Sequence, residues 1–287
     1  MAKVHIGIPT LNGAAFISEC LACLANQTFQ DFEVFISDNA STDGASEICA
    51  DFARRDARFH HLRAPATIPW ANSFSRALDL TSAPYFMWRA DDDLAEVDYL
   101  ERLVQQLDAH PNAELAVAPI LRVIDKPGGA QTLFDLPDAD GLTGLERLER
   151  ILLGCHPSWF YGLWRRESAR VHWGRVVERY PFLWASDHLA LLPPILDDRV
   201  VFAPETHFIQ RIKRAEQVYR LPPPDLMHAR AAYSALAREM VRARPWAVGE
   251  EAKVLSILER HIEKRVARKW RTYNRVAEYY AKKLFRR

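Results

Sequence analysis

Three consecutive aspartates, Asp91, Asp92 and Asp93, have the residue type and spacing that most directly suggest chemistry. This aspartate triplet follows the apolar run Tyr85–Trp88, which predicts a buried strand. Adjacent carboxylates repel one another, and Mg²⁺ or Mn²⁺ would supply the opposite charge because hard cations prefer carboxylate oxygen. The alternative is a solvated acidic turn that caps a helix beginning near Ala95, since Asp is a good N-cap and suits the helix dipole.

Two further polar clusters also follow predicted strands. Residues 9–12 come after an apolar run at 4–8, and residues 38–43 come after a second run at 32–37. Ligands of open α/β sheets bind outside the carboxyl ends of the strands. We therefore expect both clusters to share one sheet edge with the aspartate triplet, which favours the cation site over the solvated turn.

The elements that must position these clusters alternate between strand and helix. This alternation predicts an α/β fold with a mainly parallel sheet. The predicted strands are residues 4–8, 32–37, 59–62, 85–89, 115–123 and 200–211, and the predicted helices are 15–24, 41–55, 70–80, 97–110, 141–153, 225–243 and 249 to the end.

Length and composition fit one large domain with an extension. The chain has 287 residues, of which 49% are hydrophobic, enough for a sizeable core. Three prolines at 222–224 separate the alternating part from a helical end. We expect a catalytic domain at residues 1–220 and a basic helical extension at residues 221–287.

The charge of the chain is concentrated at its end. Residues 264–287 carry ten Lys or Arg and one acidic residue, whereas residues 1–263 carry 28 basic and 36 acidic residues. A cationic amphipathic helix there can lie on an anionic membrane surface. The alternative is a helix that packs on its own domain or on another subunit of an oligomer. Nucleic acid is the less favoured partner, because no nucleic-acid motif accompanies the charge.

The four cysteines predict neither a disulfide framework nor a metal site. Cys20 and Cys23 form a C-x-x-C pattern within a predicted helix and without a second pair, so buried thiols on one helix face are favoured over a metal or redox site. The chain starts on a core strand rather than a signal peptide, and no apolar run approaches the length of a membrane span. We expect a cytoplasmic location, with the inner face of the membrane as the site of attachment if the tail binds lipid.

The order of the motifs resembles family 2 glycosyltransferases, which have the GT-A fold. The matching stretches are Ile8-Pro9-Thr10-Leu11-Asn12-Gly13, Gln27-Thr28-Phe29-Gln30-Asp31-Phe32-Glu33, Ser37-Asp38-Asn39-Ala40-Ser41-Thr42-Asp43-Gly44, Asn72-Ser73-Phe74-Ser75-Arg76-Ala77-Leu78 and the aspartate triplet. The resemblance is detailed over residues 4–95 and looser to about 215. It implies a Rossmann-like mixed sheet flanked by helices.

By this resemblance, the first two strand ends hold the nucleotide of a nucleotide-sugar. Asp38 is expected to accept from the uracil N3–H, and Thr10 and Asn12 to lie near the base and ribose. Pro9 and Asn72 complete the expected nucleotide-sugar site. Helix capping is the alternative for Asp38 and for Asp43. Many relatives carry Tyr at the position of Leu11, so the resemblance specifies the fold more firmly than the nucleotide.

The aspartate triplet corresponds to the family's D-x-D element, where a cation bridges the two phosphates. The resemblance ranks Asp93 first for metal contact, Asp92 second and Asp91 last, with Asp91 and Asp92 also expected beside the donor diphosphate. Relatives often place a histidine where this chain has Lys213. Either His207 supplies a metal-binding imidazole from a shifted position, or Lys213 contacts the diphosphate.

Asp187, which precedes an apolar helix, corresponds to the catalytic base of the family, and Ser186 replaces the Glu that often comes before it. The chemistry needs one carboxylate near the acceptor hydroxyl. A helix cap is the alternative for Asp187. The aromatic segment 156–167 resembles the family segment beneath the acceptor pocket, and aromatic faces also bind sugar rings. We expect His156, Trp159 and His188 in that pocket.

These residues lead to the hypothesis of an inverting glycosyltransferase that uses Mn²⁺ or Mg²⁺. The donor would be a nucleotide-sugar, with UDP favoured, and the acceptor a hydroxyl of a glycan or lipid-linked glycan. One alternative is a non-catalytic assembly protein that keeps the fold and binds a membrane or partner through its tail. Another is a sugar nucleotidyltransferase, which is less favoured because residues 9–12 lack a glycine-rich loop with a basic residue.

Overall fold

The computed structural model describes residues 2–124, 128–212, 221–266 and 274–278. The strands are β1 (Val4–Thr10), β2 (Phe32–Asp38), β3 (Phe59–Arg63), β4 (Tyr85–Trp88), β5 (Leu94–Ala95), β6 (Leu115–Val117), β7 (Ile120–Ile124), β8 (Gln131–Phe134), β9 (Leu163–Arg165), β10 (Val200–Phe202) and β11 (Phe208–Ile212). The helices are α1 (Ile17–Ala25), α2 (Ala45–Arg55), α3 (Trp70–Asp79), α4 (Tyr99–Ala109), α5 (Gly144–Gly154), α6 (Arg166–Arg179), α7 (Ser186–Leu196), α8 (Pro223–Arg242) and α9 (Glu250–His261). A 3-10 turn covers Pro157–Tyr161 and a π turn Ile262–Val266.

The larger sheet of the described residues has seven strands in the order β10-β6-β9-β4-β1-β2-β3. Strand β1 is parallel to both β2 and β4, and Thr10 lies opposite Asp38. Strand β9 is antiparallel to β4 and β6, so the sheet is mixed. Because β1, β2 and β4 run in one direction, their carboxyl ends meet at one edge, as the sequence predicts.

Burial explains why the central strands are mostly apolar on both faces. All four residues of β4 are buried, and all residues of β1 are buried except Pro9, which is half-buried. Strands covered by helices on both faces need apolar side chains on both faces, so they show no alternation. Gly7 of β1 fits between Phe86 and the Ala77 carbonyl, where a Cβ would lie 2.8 Å from that oxygen.

Two predicted strands each divide between two sheets. Residues 115–123 form β6 in the large sheet and β7 in a four-stranded sheet of order β5-β11-β7-β8, with Pro119 between them. Proline has no N–H for a ladder, so the chain leaves the first sheet there. The predicted strand at 200–211 divides in the same way, into β10 and β11.

One predicted helix begins later than expected. The helix expected from residue 97 starts at Tyr99, because residues Leu94–Ala95 form β5 and pair with β11. The helix predicted to begin near Ala95, which the aspartate triplet would have capped, is therefore not formed there. The triplet instead occupies a turn between β4 and β5.

The described helices past residue 220 share the main core. Tyr233 and Met240 of α8 are buried with Val254 and Leu258 of α9 in the same hydrophobic cluster as the strands. His261 Nδ1 lies 2.8 Å from the Leu152 carbonyl oxygen of α5. The boundary at residue 220 stays a prediction. None of the described helices is long and apolar enough to cross a membrane, and most of the basic segment 264–287 lies outside the described residues.

Candidate active site

The aspartate triplet is held by strands of both sheets, β1 and β11. Thr10 Oγ1, at the end of β1, donates to Asp91 Oδ2 at 2.5 Å. The Arg211 backbone N–H of β11 donates to Asp93 Oδ1 at 2.8 Å. Asp93 is buried, and Asp91 and Asp92 are half-buried. The turn therefore presents carboxylates whose positions are fixed by hydrogen bonds rather than left to solvent.

The loops after β1 and β2 are joined into one unit. Asn12 Oδ1 accepts from the Thr42 backbone N–H at 2.8 Å, and the Asn12 N–H donates to Ser41 Oγ at 3.0 Å. Asn12 has a φ of 57°, a left-handed conformation that Asn tolerates better than most residues. Asp43 accepts from the backbone N–H groups of Ala14 and of Ala45, the first residue of α2, next to the N-cap residue Gly44.

Asp38 lies below the surface of this edge. Its side chain has no exposed area, and its Oδ1 accepts from the Ser41 N–H at 2.8 Å. Its Oδ2 lies 3.3 Å from both His61 Nε2 and Arg63 Nη1. Burial opposes ionisation of Asp38, but hydrogen bonds from Ser41, Ser46 and His61 outweigh burial and hold its pKa below the usual range. In this conformation Asp38 orders the loop through Ser41, and its contact with a base stays a prediction.

The other nucleotide-site candidates differ in exposure. Pro9 is half-buried, Thr10 is buried and bonded to Asp91, and Asn12 and Asn72 are exposed. Asn72 lies on the first turn of α3. Asn39 holds the segment before α3 at this edge. Its Oδ1 accepts from the Ile68 N–H at 2.8 Å, and its Nδ2 donates to the Ile68 carbonyl at 2.9 Å. A surface cavity of about 480 Å³ beside these loops is lined by Ser41, Thr42, Gly44, Ser46, Glu47 and Arg63.

Asp187 lies on the first turn of α7. The residue before the helix, Ala185, has a φ of 58°, and Asp187 Oδ1 accepts from the His188 backbone N–H at 2.7 Å. Burial of the carboxyl group raises the pKa of Asp187 to about 6, although backbone hydrogen bonds from His188 and Asp187 act in the opposite direction. A carboxylate with this pKa is ionised at neutral pH and is a better proton acceptor than an ordinary aspartate.

Tyr161 is influenced by the charges of both Asp187 and the aspartate triplet. Burial raises the pKa of Tyr161 well above its usual range, and the negative charges of Asp93, Asp187, Asp92 and Asp91 raise it further. Its ring is parallel to that of Phe208, with 5.7 Å between centroids. The negative charges of all four carboxylates thus act on one phenol. Sequence reasoning did not single out Tyr161, because nothing in the aromatic segment distinguishes the ring on which these charges act.

The predicted acceptor-pocket residues are core residues. Trp159 is 2% exposed and packs on Phe202, and His188 is 5% exposed and lies beside Cys155 and His261. His156 is also 5% exposed. In the described structure these rings therefore fill space in the core, and their place in an acceptor pocket stays a prediction.

His207 is not brought to the aspartate triplet. Its Nδ1 lies 3.0 Å from Glu96 Oε1, at the start of β11. Asp93 is bonded instead to Arg211, four residues further along the strand, which is roughly 13 Å of extended chain. In the described structure His207 therefore pairs with Glu96, and its role as a metal ligand stays a prediction. Lys213, its alternative, lies outside the described residues.

Carboxylate oxygens suit Mg²⁺ or Mn²⁺. Across the described part of the chain, no three His, Cys, Asp or Glu side chains are gathered as a metal site. Mg²⁺ is usually bound by one or two carboxylates together with substrate phosphates and water. The donors of the aspartate triplet fit a cation that is shared with a diphosphate.

The sequence of residues 5–153 matches the family described as Glycosyl transferase family 2. One curated relative, a PGL/p-HBAD biosynthesis glycosyltransferase of Mycobacterium bovis, is 30% identical over 115 residues, which cover 40% of this chain and 45% of the relative. The match with the glycosyltransferase GlyA of Streptococcus pneumoniae covers only 16% of that protein. The chain thus spans less than half the length of these relatives.

Solved structures share the fold. S. aureus TarS 1–349 in complex with UDP-GlcNAc superposes with a TM-score of 0.67 at 18% identity, covering 91% of this chain and 73% of the TarS 1–349 chain. A mannosyltransferase of Pyrobaculum calidifontis in complex with GDP-Man and Mn²⁺ gives 0.53 at 17% identity, covering 96% and 84%. The predicted mixed α/β sheet of the GT-A type, flanked by helices, is confirmed.

Proposed function

Because the chain belongs to glycosyl transferase family 2, we propose that it transfers a sugar from a nucleotide-diphosphate donor to an acceptor hydroxyl. The observation that supports this best is the arrangement around Tyr161, where the aspartate triplet and Asp187 act on the same phenol. Glycosyl transfer of this kind needs a group at the leaving diphosphate and a base at the acceptor, both close to one anomeric carbon.

The donor is a UDP-sugar in this proposal. TarS, which shares the fold, was solved with UDP-GlcNAc, whereas the Pyrobaculum enzyme was solved with GDP-Man. The nucleotide would lie along the edge built from the loops after β1 and β2, near Pro9, Thr10, Asn12 and Asn72. Asp38 supports this site from below by holding the loop through Ser41. A direct contact between Asp38 and the base would require its carboxylate to turn outward.

A divalent cation, Mn²⁺ or Mg²⁺, would be held by Asp93 and Asp92, with Asp91 beside them. When bound, it neutralises the negative charge that builds on the leaving diphosphate. The chain's own contribution is to fix the carboxylates in place. Thr10 holds Asp91, and the Arg211 backbone holds Asp93, so binding a cation requires little reorganisation of these two side chains.

Asp187 acts as the general base. The acceptor oxygen attacks the anomeric carbon, the bond from that carbon to the diphosphate oxygen breaks, and the hydroxyl proton passes to the Asp187 carboxylate. A single displacement inverts the configuration at the anomeric carbon. Burial supports this role, because it makes the Asp187 carboxylate more basic than an exposed aspartate.

The acceptor is a glycan or a lipid-linked glycan, and the basic segment 264–287 would hold the protein at an anionic membrane surface. Ten basic residues against one acidic residue support this attachment. A membrane-embedded acceptor would then lie in the plane to which the enzyme binds. This part of the proposal rests on charge and sequence pattern, since most of the segment lies outside the described residues.

A donor panel tests the function. Purified protein is incubated with Mn²⁺ and separate UDP- and GDP-sugars, and the released nucleoside diphosphate is measured. We expect release of UDP from one or a few UDP-sugars and loss of release after chelation of the cation. Without turnover of any donor, the protein would be a non-catalytic member of the fold. Formation of a nucleotide-sugar from a nucleoside triphosphate and a sugar phosphate would identify a nucleotidyltransferase.

A further inference from the structure

The two thiols of the C-x-x-C pattern hold the backbone on either side of the aspartate triplet. Cys20 Sγ donates to the carbonyl of Ala90, which directly precedes the triplet, at 3.4 Å. Cys23 Sγ donates to the Ala95 carbonyl at 3.3 Å and accepts from the Ala95 N–H at 3.3 Å. Both cysteines lie on α1, so one helix contacts the chain where it enters the acidic turn and where it leaves it.

The spacing of the two cysteines allows them to contact both ends of the acidic turn. Residues three apart on a helix lie on the same face, separated by about 4.5 Å along the axis. The acidic turn is short, and Arg89 Nη1 closes it by donating to the Leu94 carbonyl at 3.0 Å. The entry and exit of the turn are therefore close enough together for a single helical turn of α1 to contact both.

The thiols are suited to act as hydrogen-bonding groups rather than as reactive ones. Both are free cysteines, and Cys20 is buried. Burial raises the pKa of the Cys20 thiol far above its usual range, with Arg89 acting in the opposite direction, so the thiol keeps its proton and remains a donor. A disulfide between the two cysteines would remove the S–H donors that contact Ala90 and Ala95.

The residues just after α1 make further contacts with the chain past the acidic turn. Gln27, two residues after α1, donates through Nε2 to the Glu96 carbonyl at 2.8 Å and accepts from the Leu100 N–H at 2.9 Å. The backbone from Ala90 to Leu100 is thus bonded repeatedly to α1 and the residues that follow it. The cysteines are the members of this series that lie nearest to the carboxylates.

We infer that Cys20 and Cys23 are positioning residues for the cation and diphosphate, because they fix the backbone geometry of the aspartate triplet. Three adjacent carboxylates repel one another, and this repulsion opens an unsupported turn. Contacts at both ends of the turn hold the carboxylates close together before a cation binds. This inference rests on the proposed function, in which the triplet binds the cation.

The test uses Cys23→Ala, Cys23→Ser and the control Cys49→Ala. Cys23 is half-buried, so its truncation costs little packing, whereas Cys49 is a fully buried thiol on α2. Binding of Mn²⁺ in the presence of UDP is followed by electron paramagnetic resonance of the free ion. We expect Cys23→Ala to weaken Mn²⁺ binding about five- to tenfold, as expected for the loss of two weak hydrogen bonds.

The pattern across the variants decides the inference. Cys23→Ser, which keeps a donor and an acceptor, should restore much of the affinity, and Cys49→Ala should bind Mn²⁺ like the wild type. At saturating Mn²⁺, turnover by Cys23→Ala should return close to the wild-type rate. Equal effects of Cys23→Ala and Cys49→Ala, or no effect of Cys23→Ala, would overturn the positioning role.

A second readout does not depend on the proposed function. Hydrogen exchange of the backbone amides at residues 91–95 is measured without ligand. We expect exchange about tenfold faster in Cys23→Ala than in the wild type or Cys49→Ala, and unchanged exchange in Cys23→Ala would overturn the inference. If the wild type does not bind Mn²⁺ and UDP together while exchange behaves as expected, the proposed function fails and the structural role of the thiols stands.

Discussion

The pKa values of two carboxyl groups of the candidate site, Asp187 and Asp38, are shifted in opposite directions. Asp187 is half-buried with few compensating hydrogen bonds, and its pKa rises to about 6. Asp38 is buried, but it receives hydrogen bonds from Ser41, Ser46 and His61, and its pKa falls. A raised pKa suits a group that takes up a proton, and a lowered pKa suits a permanent negative charge that orders a loop.

The first prediction concerns Asp187. A base must be deprotonated to act, so turnover should increase as the pH rises through about 6 and level off above it. Asp187→Asn should lower kcat by about 10²–10⁴ and abolish this pH dependence, because an amide cannot accept the proton. UDP binding should be retained, which calorimetry checks.

The matched control for this variant is Asp198→Asn, just past the end of α7. Asp198 has a φ of 51°, which Asn also adopts readily, and its side chain pairs with Arg147 away from the acidic turn. Its turnover should stay near that of the wild type. Near-normal turnover of Asp187→Asn itself would eliminate Asp187 as the base.

The second prediction concerns Gly13, which lies against the aspartate triplet. A Cβ at this position would lie 2.3 Å from Asp91 Oδ2 and 2.8 Å from Thr10 Oγ1. Gly13→Ala should therefore displace the Asp91 carboxylate and weaken Mn²⁺ binding several-fold, measured by titration. Gly174→Ala is the control, because a Cβ there meets nothing within 4 Å. It should stabilise α6 by about 1 kcal/mol and leave Mn²⁺ binding unchanged. Equal Mn²⁺ affinities in the two variants would contradict the arrangement.

At the scale of elements, the strand ends that carry the site were predictable. Apolar runs followed by polar clusters gave β1, β2 and β4 and placed Thr10, Asp38 and the aspartate triplet at one edge. Local pattern and the parallel-sheet rule suffice for this, because each run is short, buried and followed at once by its polar cluster.

Other features depend on contacts that are remote in sequence. The division of residues 115–123 between two sheets follows from pairing with β9, β10 and β11, which lie far along the chain. Trp159 and His188 were assigned to a pocket because an aromatic ring has the same sequence signature in a core and in a sugar site. The distance of His207 from the triplet is set by the register of β11, which the sequence alone does not specify.

The third prediction tests how the C-terminal helices are attached. Leu258 of α9 is fully buried in the main core. Leu258→Ala should lower the free energy of unfolding by about 2–5 kcal/mol, as deletion of a buried leucine does. Leu133→Ala, on the exposed strand β8, should change it by less than about 0.5 kcal/mol. Urea unfolding measures both. A main transition unaffected by Leu258→Ala would mean that the extension unfolds separately.

At the scale of the whole molecule, the charge is divided between an acidic body and a basic end. Residues 1–263 have 28 basic and 36 acidic residues, and residues 264–287 have ten and one. The acidic part includes the carboxylates of the candidate site, whereas the basic end carries positive charge. In the proposed function, a cation would compensate the charge of the site, and the basic end would attract an anionic surface.

The fourth prediction follows from this division. The protein should sediment with vesicles that contain phosphatidylserine and not with vesicles of phosphatidylcholine alone, and added salt should release it. Replacing Lys282, Lys283, Arg286 and Arg287 with Gln should reduce binding by more than tenfold, because each basic residue near the surface contributes about 1 kcal/mol. Replacing four basic residues on α6 and α8, namely Arg170, Arg175, Arg238 and Arg242, is the charge-matched control. Equal losses in both variants would contradict a role specific to residues 264–287.

The central claim is that the aspartate triplet binds a divalent cation together with the diphosphate of a nucleotide-sugar. A crystal of the protein with UDP and Mn²⁺, measured at a wavelength where manganese scatters anomalously, tests it most directly. The proposal predicts one anomalous peak in contact with Asp93 and Asp92 and with both phosphates of UDP. An anomalous peak at another place, or UDP bound away from the ends of β1, β2 and β4, would contradict it.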